Sequence, residues 1–96
     1  NLVENAAVQG DRIGAALRSM RAGSIREIRQ IGLWIGIELQ PSAGGARRYC
    51  EALMKEGMLC KETHVHTIRI APPLVITARE VEGMLGKLQQ VFATLG

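Results

Sequence analysis

Arg69 sits in the run Thr67-Ile68-Arg69-Ile70-Ala71, closed by Pro72-Pro73, in a chain of 96 residues. Side chains alternate along a strand, so Ile68 and Ile70 share one face while Thr67, Arg69 and Ala71 share the other. If the isoleucines pack on helices, the guanidinium stands on the opposite face. A rigid fork of donors held there suits the planar carboxylate of an acid. Taken alone, the stretch fits a structural ion pair or a solvated arginine more readily than a ligand site.

A second group is Cys60-x3-His64-x-His66, with Glu62 or Cys50 available to complete a metal set. The spacing matches no standard zinc pattern, and a polar loop with two histidines and a buried thiol accounts for it more simply. Cysteine nucleophile chemistry needs a thiolate held beside a base. Cys60 and His64 are near in sequence, but no third orienting group stands out, and Cys50 falls on the apolar face of a helix. Neither a metal nor a catalytic thiol is expected.

The elements that must position these residues can be read in order. Leu2, Ala6, Gly10, Ile13, Leu17 and Met20 recur at helical spacing, with Val3 widening the stripe, and Gly23 is the expected stop. Small residues at Gly10 and Gly14 allow close packing on a neighbour. Ser24 to Ile31 reads as a bent or bulged strand, joined around Gly32 to a second strand. In that second strand Leu33, Ile35, Ile37 and Leu39 oppose Trp34, Gly36 and Glu38. Gln40 to Gly45 is loop by composition. A helix follows with Ala46, Tyr49, Cys50, Leu53 and Met54 on one face, ended by Gly57. Met58-Leu59-Cys60-Lys61 is the expected third strand, Thr63 to His66 a connection, and Thr67 to Ala71 the fourth strand. Thr77-Ala78-Arg79-Glu80 matches a capping box with Ile76 and Val81 as its staple. Val81, Met84, Leu85, Leu88, Phe92 and Leu95 then form the buried stripe of the last helix.

The order αββαββα implies an α+β fold: a small, mainly antiparallel sheet of about four strands with three helices on one face. Hydrophobic residues make up 47% and aromatic residues 3%, so the core must be aliphatic. Residues 1–96 form one domain of marginal size. The net charge of +3 comes from dispersed basic residues, with Trp34, Tyr49 and Phe92 away from any basic cluster. That excludes a nucleic-acid interface built on a basic stripe and stacking aromatics. No apolar run is long enough to span a bilayer, and no signal-peptide core is present. Two cysteines in apolar settings suit a reducing, cytoplasmic compartment. The chain opens at Asn1 inside a helical pattern, which suggests a fragment or a processed product.

Lys61-Glu62-Thr63-His64 followed by Ile68-Arg69-Ile70-Ala71-Pro72-Pro73-Leu74-Val75-Ile76 resembles the C-terminal region of the ornithine aminotransferases. These are fold-type-I, pyridoxal-phosphate-dependent enzymes of the class-III aminotransferase group. Tyr49 to Leu53, Gly57 to Cys60 and Gly32 to Gly36 fit the same family. The resemblance covers nearly the whole chain, is most specific from Arg48 to Ile76, and extends to only the last quarter or so of such an enzyme. Where the family carries an Arg-Gly-basic-Gly pattern, this chain has Arg29-Gln30-Ile31-Gly32. Glutamine at the first glycine position would adopt positive φ at a cost.

The resemblance implies a C-terminal small domain, with Arg69 matching the arginine that binds a substrate carboxylate. It implies pyridoxal 5′-phosphate in the complete enzyme, held by a large domain or a complementing N-terminal chain. Ornithine and the 2-oxoglutarate/glutamate pair would be the substrates, glutamate semialdehyde a product, and the complete enzyme a homo-oligomer. Lys55, Lys61 and Lys87 stand in no context resembling the family's cofactor lysine, and Gly44-Gly45 is a weak phosphate site. The chain alone is therefore expected to be inactive and to bind no cofactor specifically. The residues by themselves also suit a non-enzymatic interaction or ligand-sensing α+β module.

Overall fold

A computed structural model describes residues 2–58, 60–72 and 75–96. Helix α1 spans Leu2–Ser19, strands β1 and β2 span Ile25–Ile31 and Trp34–Leu39, and a short 3-10 turn covers Pro41–Ala43. Helix α2 (Ala46–Lys55), strands β3 (Lys61–Thr63) and β4 (Thr67–Ile70) and helix α3 (Ala78–Leu95) complete the chain. The sheet order is β1-β2-β4-β3, with every neighbouring pair antiparallel. The expected αββαββα architecture is the one observed.

Isoleucine and leucine alternation drives the sheet onto the helices. Ile35, Ile37, Leu39, Ile68 and Ile70 are all buried and meet Ile13, Leu17, Tyr49, Leu53, Val81 and Leu88 in one core. Helix α1 packs against β1 and β2, α2 against β3 and β4, and α3 against both other helices. Tyr49 and Phe92 supply the core's ring pair, with centroids 5.2 Å apart. The first strand is irregular as expected: its register shifts between Ile25 and Glu27. Gly32 opens the two-residue connection to β2 with φ of 54°, a conformation glycine adopts without steric cost.

The glutamine at position 30 does not disturb that connection. It is an ordinary strand residue paired with Ile35, and its Nε2 donates to the Gly32 carbonyl at 2.8 Å. The side chain thus satisfies a carbonyl of the turn. Gly10 is the reason α1 can cross the same turn: a Cβ built there would lie 1.7 Å from the Gly32 carbonyl oxygen.

Helix ends follow their local chemistry, with one exception. Thr77 accepts from the Glu80 amide at 3.1 Å while Glu80 accepts from the Thr77 amide at 3.0 Å, closing the capping box. Ile76 and Val81 are both buried beside it, as a staple requires. At the end of α2 the Gly57 amide bonds Met54 and the Met58 amide bonds Leu53, both at 3.0 Å, the paired pattern of a Schellman stop. Helix α1, however, ends at Ser19, ahead of Gly23, and Arg21 rather than a glycine takes the left-handed conformation, with φ of 50°.

Four further expectations are corrected. The third strand begins at Lys61 and runs to Thr63, so Met58 and Cys60 lie outside it; Leu59 falls outside the described residues. The Schellman stop holds Met58 in the core and delays pairing until the chain reaches the sheet edge. The fourth strand stops at Ile70, ahead of Ala71. Leu2, Val3 and Met54 are exposed rather than part of the buried stripes of α1 and α2. Val91 is buried and widens the α3 stripe.

Candidate functional site

The sheet face turned away from the helices carries three cross-strand rows, set by the register. Ile31 lies opposite Trp34. The next row runs Arg29, Gly36, Arg69, Lys61. The third runs Glu27, Glu38, Thr67, Thr63. A cationic row thus lies beside an acidic and hydroxyl row, and the cationic row has a gap at Gly36.

Arg69 is half-buried on β4, between β2 and β3, and its neighbours Ile68 and Ile70 are 0% and 2% exposed. Those two anchors hold the strand and fix the side on which the guanidinium emerges. Arg29 is engaged along its own strand, its Nη2 donating to the Glu27 carboxylate at 3.0 Å. Among the described residues the Arg69 guanidinium makes no ion pair. A charged donor with planar geometry is therefore available on this face.

The arrangement of the row was not legible in the chain order. Alternation puts Gly36 on the face of Trp34, but β2 and β4 are not consecutive. Their pairing, and with it the juxtaposition of Gly36 and Arg69, comes from the sheet order. Lys61 faces Arg69 through the antiparallel register of β3 on β4.

The cysteine and histidine group does not assemble into a reactive centre. Cys60 Sγ lies 3.7 Å from the Cys50 carbonyl oxygen, and both thiols are free. Burial, reinforced by Cys60 and Glu62, pushes the Cys50 thiol up to about 12, and burial also raises Cys60. Both stay protonated near neutrality, the opposite of what a nucleophile needs. His64 occupies the tight turn before β4 with φ of 57°, and the His66 carbonyl accepts from the Leu39 amide at 2.8 Å. Among the described residues no three His, Cys, Asp or Glu side chains are grouped to hold a metal ion.

The raised thiols have a consequence for stability. Above about pH 9 the unfolded chain releases thiol protons that the folded chain retains, so stability falls as pH rises from about 9 towards 12. Urea midpoints at pH 8 and pH 10.5 should show this decline. A Cys50→Val variant should show a shallower one, since it removes the more strongly shifted group.

The three lysines are dispersed: Lys55 ends α2, Lys61 opens β3 and Lys87 lies in α3, with Lys55 and Lys61 exposed. They converge on no common cleft, so they do not fit a cofactor site. A groove of about 500 Å³ bordered by Met58, Ile70, Pro72, Ile76, Met84 and Lys87 lies on the helix side of the sheet, across it from the open face bearing Arg69. No described helix is long and apolar enough to cross a membrane.

Comparison with known proteins bears on this face. The family model Aminotransferase class-III matches residues 1–92. An ornithine aminotransferase of Bordetella pertussis is 42% identical over 92 residues, covering 96% of this chain and 22% of that protein. One from Staphylococcus epidermidis is 51% identical over 84 residues, covering 88% of this chain and 20% of that protein. Among solved structures, the ornithine aminotransferase of Toxoplasma gondii superposes with a TM-score of 0.90 at 28% identity, over 98% of this chain and 23% of that one. An acetylornithine aminotransferase from Elizabethkingia anophelis gives 0.88 at 27% identity, over 97% and 24%. The chain spans about a fifth of the length of the curated relatives it matches.

Proposed function

Because the chain belongs to the class-III aminotransferase family, we propose that residues 1–96 are the C-terminal small domain of an ornithine–oxo-acid transaminase. The complete enzyme would move the δ-amino group of ornithine to 2-oxoglutarate, giving glutamate semialdehyde and glutamate. Pyridoxal phosphate, bound by a large domain, supplies the electron sink for that transfer. The observation that carries the reading is Arg69: a guanidinium with no ion-pair partner among the described residues, held on strand β4 within a family match that covers residues 1–92.

In this reading Arg69 binds and orients a substrate carboxylate, and the surrounding sheet face forms one wall of the cleft. The charge-assisted, two-pronged contact fixes the plane of the acid as well as its position. The isolated chain is inactive, since its lysines do not form a cofactor site. Two free thiols, Cys50 buried and Cys60 half-buried, suit a reducing cytoplasm.

The test has two arms. The enzyme containing this domain and its cofactor-binding part should convert ornithine and 2-oxoglutarate to semialdehyde and glutamate in equal amounts. Faster turnover of N-acetylornithine would reassign the donor. The isolated chain, incubated with pyridoxal phosphate and reduced with borohydride, should show no stoichiometric label on any one lysine. Full labelling of Lys55, Lys61 or Lys87 alone would overturn its assignment as the cofactor-free part.

A further inference from the structure

Three arginines from three different elements meet at one place away from Arg69. Arg18 lies in the last turn of α1, Arg21 in the connection that follows, and Arg26 in β1. Together they line a cleft of about 210 Å³ at β1, an edge strand of the sheet. Leu17, Ala22, Ile25 and Ile28 give the cleft an apolar floor. Ile28 stands opposite the buried Ile37, so the cleft belongs to the helix side of the sheet and not to the face bearing Arg69.

Each arginine reaches the cleft by its own local route. Arg18 complements the negative end of α1, and its Nη2 donates to the Ile28 carbonyl at 3.3 Å, which holds the guanidinium against β1. Arg21 takes a left-handed backbone, with φ of 50°, that glycine would adopt at less cost. Arg26 is the extra residue of the β1 bulge: Ile25 pairs with Leu39 and Glu27 with Glu38, leaving nothing opposite it. Bulges of this kind re-aim a side chain. The helix dipole accounts for the first of these cations but for neither of the others.

The cluster is not neutralised from within. Among the described residues none of the three arginines makes an ion pair. Glu27 also borders the cleft, but its carboxylate is held by Arg29 at 3.0 Å. Three like charges gathered this way repel one another, and an anion set between them removes that cost. A carboxylate offers oxygens in one plane and a single charge. A phosphate spreads three acceptor oxygens in space and carries up to about two charges, which suits guanidiniums arriving from three elements. No aromatic residue lines the cleft, so a nucleic-acid base would find no stacking platform there.

We propose that Arg18, Arg21 and Arg26 form a binding site for a phosphate group, supplied by inorganic phosphate or by a small phosphate monoester. The guanidiniums hold the oxygens, and the apolar floor receives the carbon part of a monoester. The site is independent of Arg69 and of the reaction assigned to it.

The experiment titrates the complete enzyme, with its cofactor bound, against inorganic phosphate and against glycerol phosphate, by calorimetry at fixed ionic strength. The variants are Arg21→Gly, Arg26→Gln and, as a control for net charge, Arg79→Gln on the exposed side of α3. Arg21→Gly and Arg26→Gln should each weaken binding about tenfold or more, the effect of losing one charge-assisted hydrogen bond. Arg79→Gln should bind as the parent does. Arg21→Gly should also keep or raise the thermal midpoint, because glycine suits the left-handed backbone. Tighter binding of glycerol phosphate than of phosphate assigns the site to a monoester, and equal binding assigns it to free phosphate. Parent-like affinity in Arg26→Gln, or an equal loss in Arg79→Gln, would overturn the proposal. Failure of the parent to bind either compound, with or without capture of a glutamate-rich peptide, would overturn it too. Arg26→Gln decides alone if Arg21→Gly does not fold.

Discussion

Arg69→Lys in the complete enzyme should lose about tenfold to a hundredfold in the half-reaction with 2-oxoglutarate or glutamate, and less with ornithine. Lysine keeps the charge but not the planar fork, so one charge-assisted hydrogen bond and the orientation of the acid are lost. A hydrogen bond to a charged partner contributes about 1.5–3 kcal/mol, which sets the range of the effect. The asymmetry follows from which end of each substrate enters. In the proposed reading 2-oxoglutarate would present its α-carboxylate to this arginine, whereas ornithine would react at its δ-amine. Stability should hardly change, because among the described residues no carboxylate pairs with Arg69 and none is orphaned by its loss. Stopped-flow measurement of each half-reaction, together with a thermal melt, checks both statements. Equal losses in the two half-reactions would make Arg69 a support of the fold or of the cofactor pocket. No loss in either would leave it a solvated arginine.

Gly10→Ala should destabilise the domain by about 2 kcal/mol, although alanine is the better helix former. In an open helix the exchange favours alanine by about 0.8–1 kcal/mol. At this site the new Cβ would stand 1.7 Å from the Gly32 carbonyl oxygen and 2.5 Å from its carbon, both backbone atoms. The clash cannot be relieved by a rotamer change. Helix α1 or the β1–β2 turn must move, and the 2.8 Å bond from Gln30 to the Gly32 carbonyl is strained with it. Overpacking of this kind costs about 1–3 kcal/mol and occasionally more. For a domain of this size that lowers the melting temperature by on the order of 10 °C.

Two other glycines give the contrast. A Cβ at Gly14 meets the ends of the flexible Arg18 and Gln30 side chains at 3.2 and 3.4 Å and the Gln30 Cβ at an ordinary 3.7 Å, and one at Gly83 meets nothing within 4 Å. Gly83→Ala should therefore stabilise, Gly14→Ala should be close to neutral, and Gly10→Ala alone should destabilise. Urea denaturation of the three variants measures the order directly. A neutral Gly10→Ala would mean that α1 does not cross the Gly32 turn as closely as described.

The sequence by itself determined the elements and their inner faces. Alternating isoleucines specify β2 and β4, a capping box with its staple starts α3, and Gly57 ends α2. These are short-range effects, in which periodicity and a few hydrogen bonds within four residues decide the outcome. The bulge in β1 and the small residue at Gly10 were legible for the same reason. Arg69 could be placed opposite the buried isoleucines by alternation, and its likeness to a family arginine could be read from the residues around it.

Tertiary structure alone decided who stands beside Arg69. Strand β2 pairs with β4 across an intervening helix and hairpin, so the row Arg29–Gly36–Arg69–Lys61 exists only once the sheet order is set. The late start of β3 likewise depends on where the Schellman stop leaves the chain relative to the sheet edge. The end of α1 at Ser19, with Arg21 rather than Gly23 left-handed, reflects tertiary demand over propensity: the Ser24 amide must donate to the Gly96 carbonyl at 3.1 Å, and the Gln40 amide must reach the Ser24 carbonyl at 2.7 Å. These are contacts between residues far apart in the chain, and no local pattern of side chains encodes them.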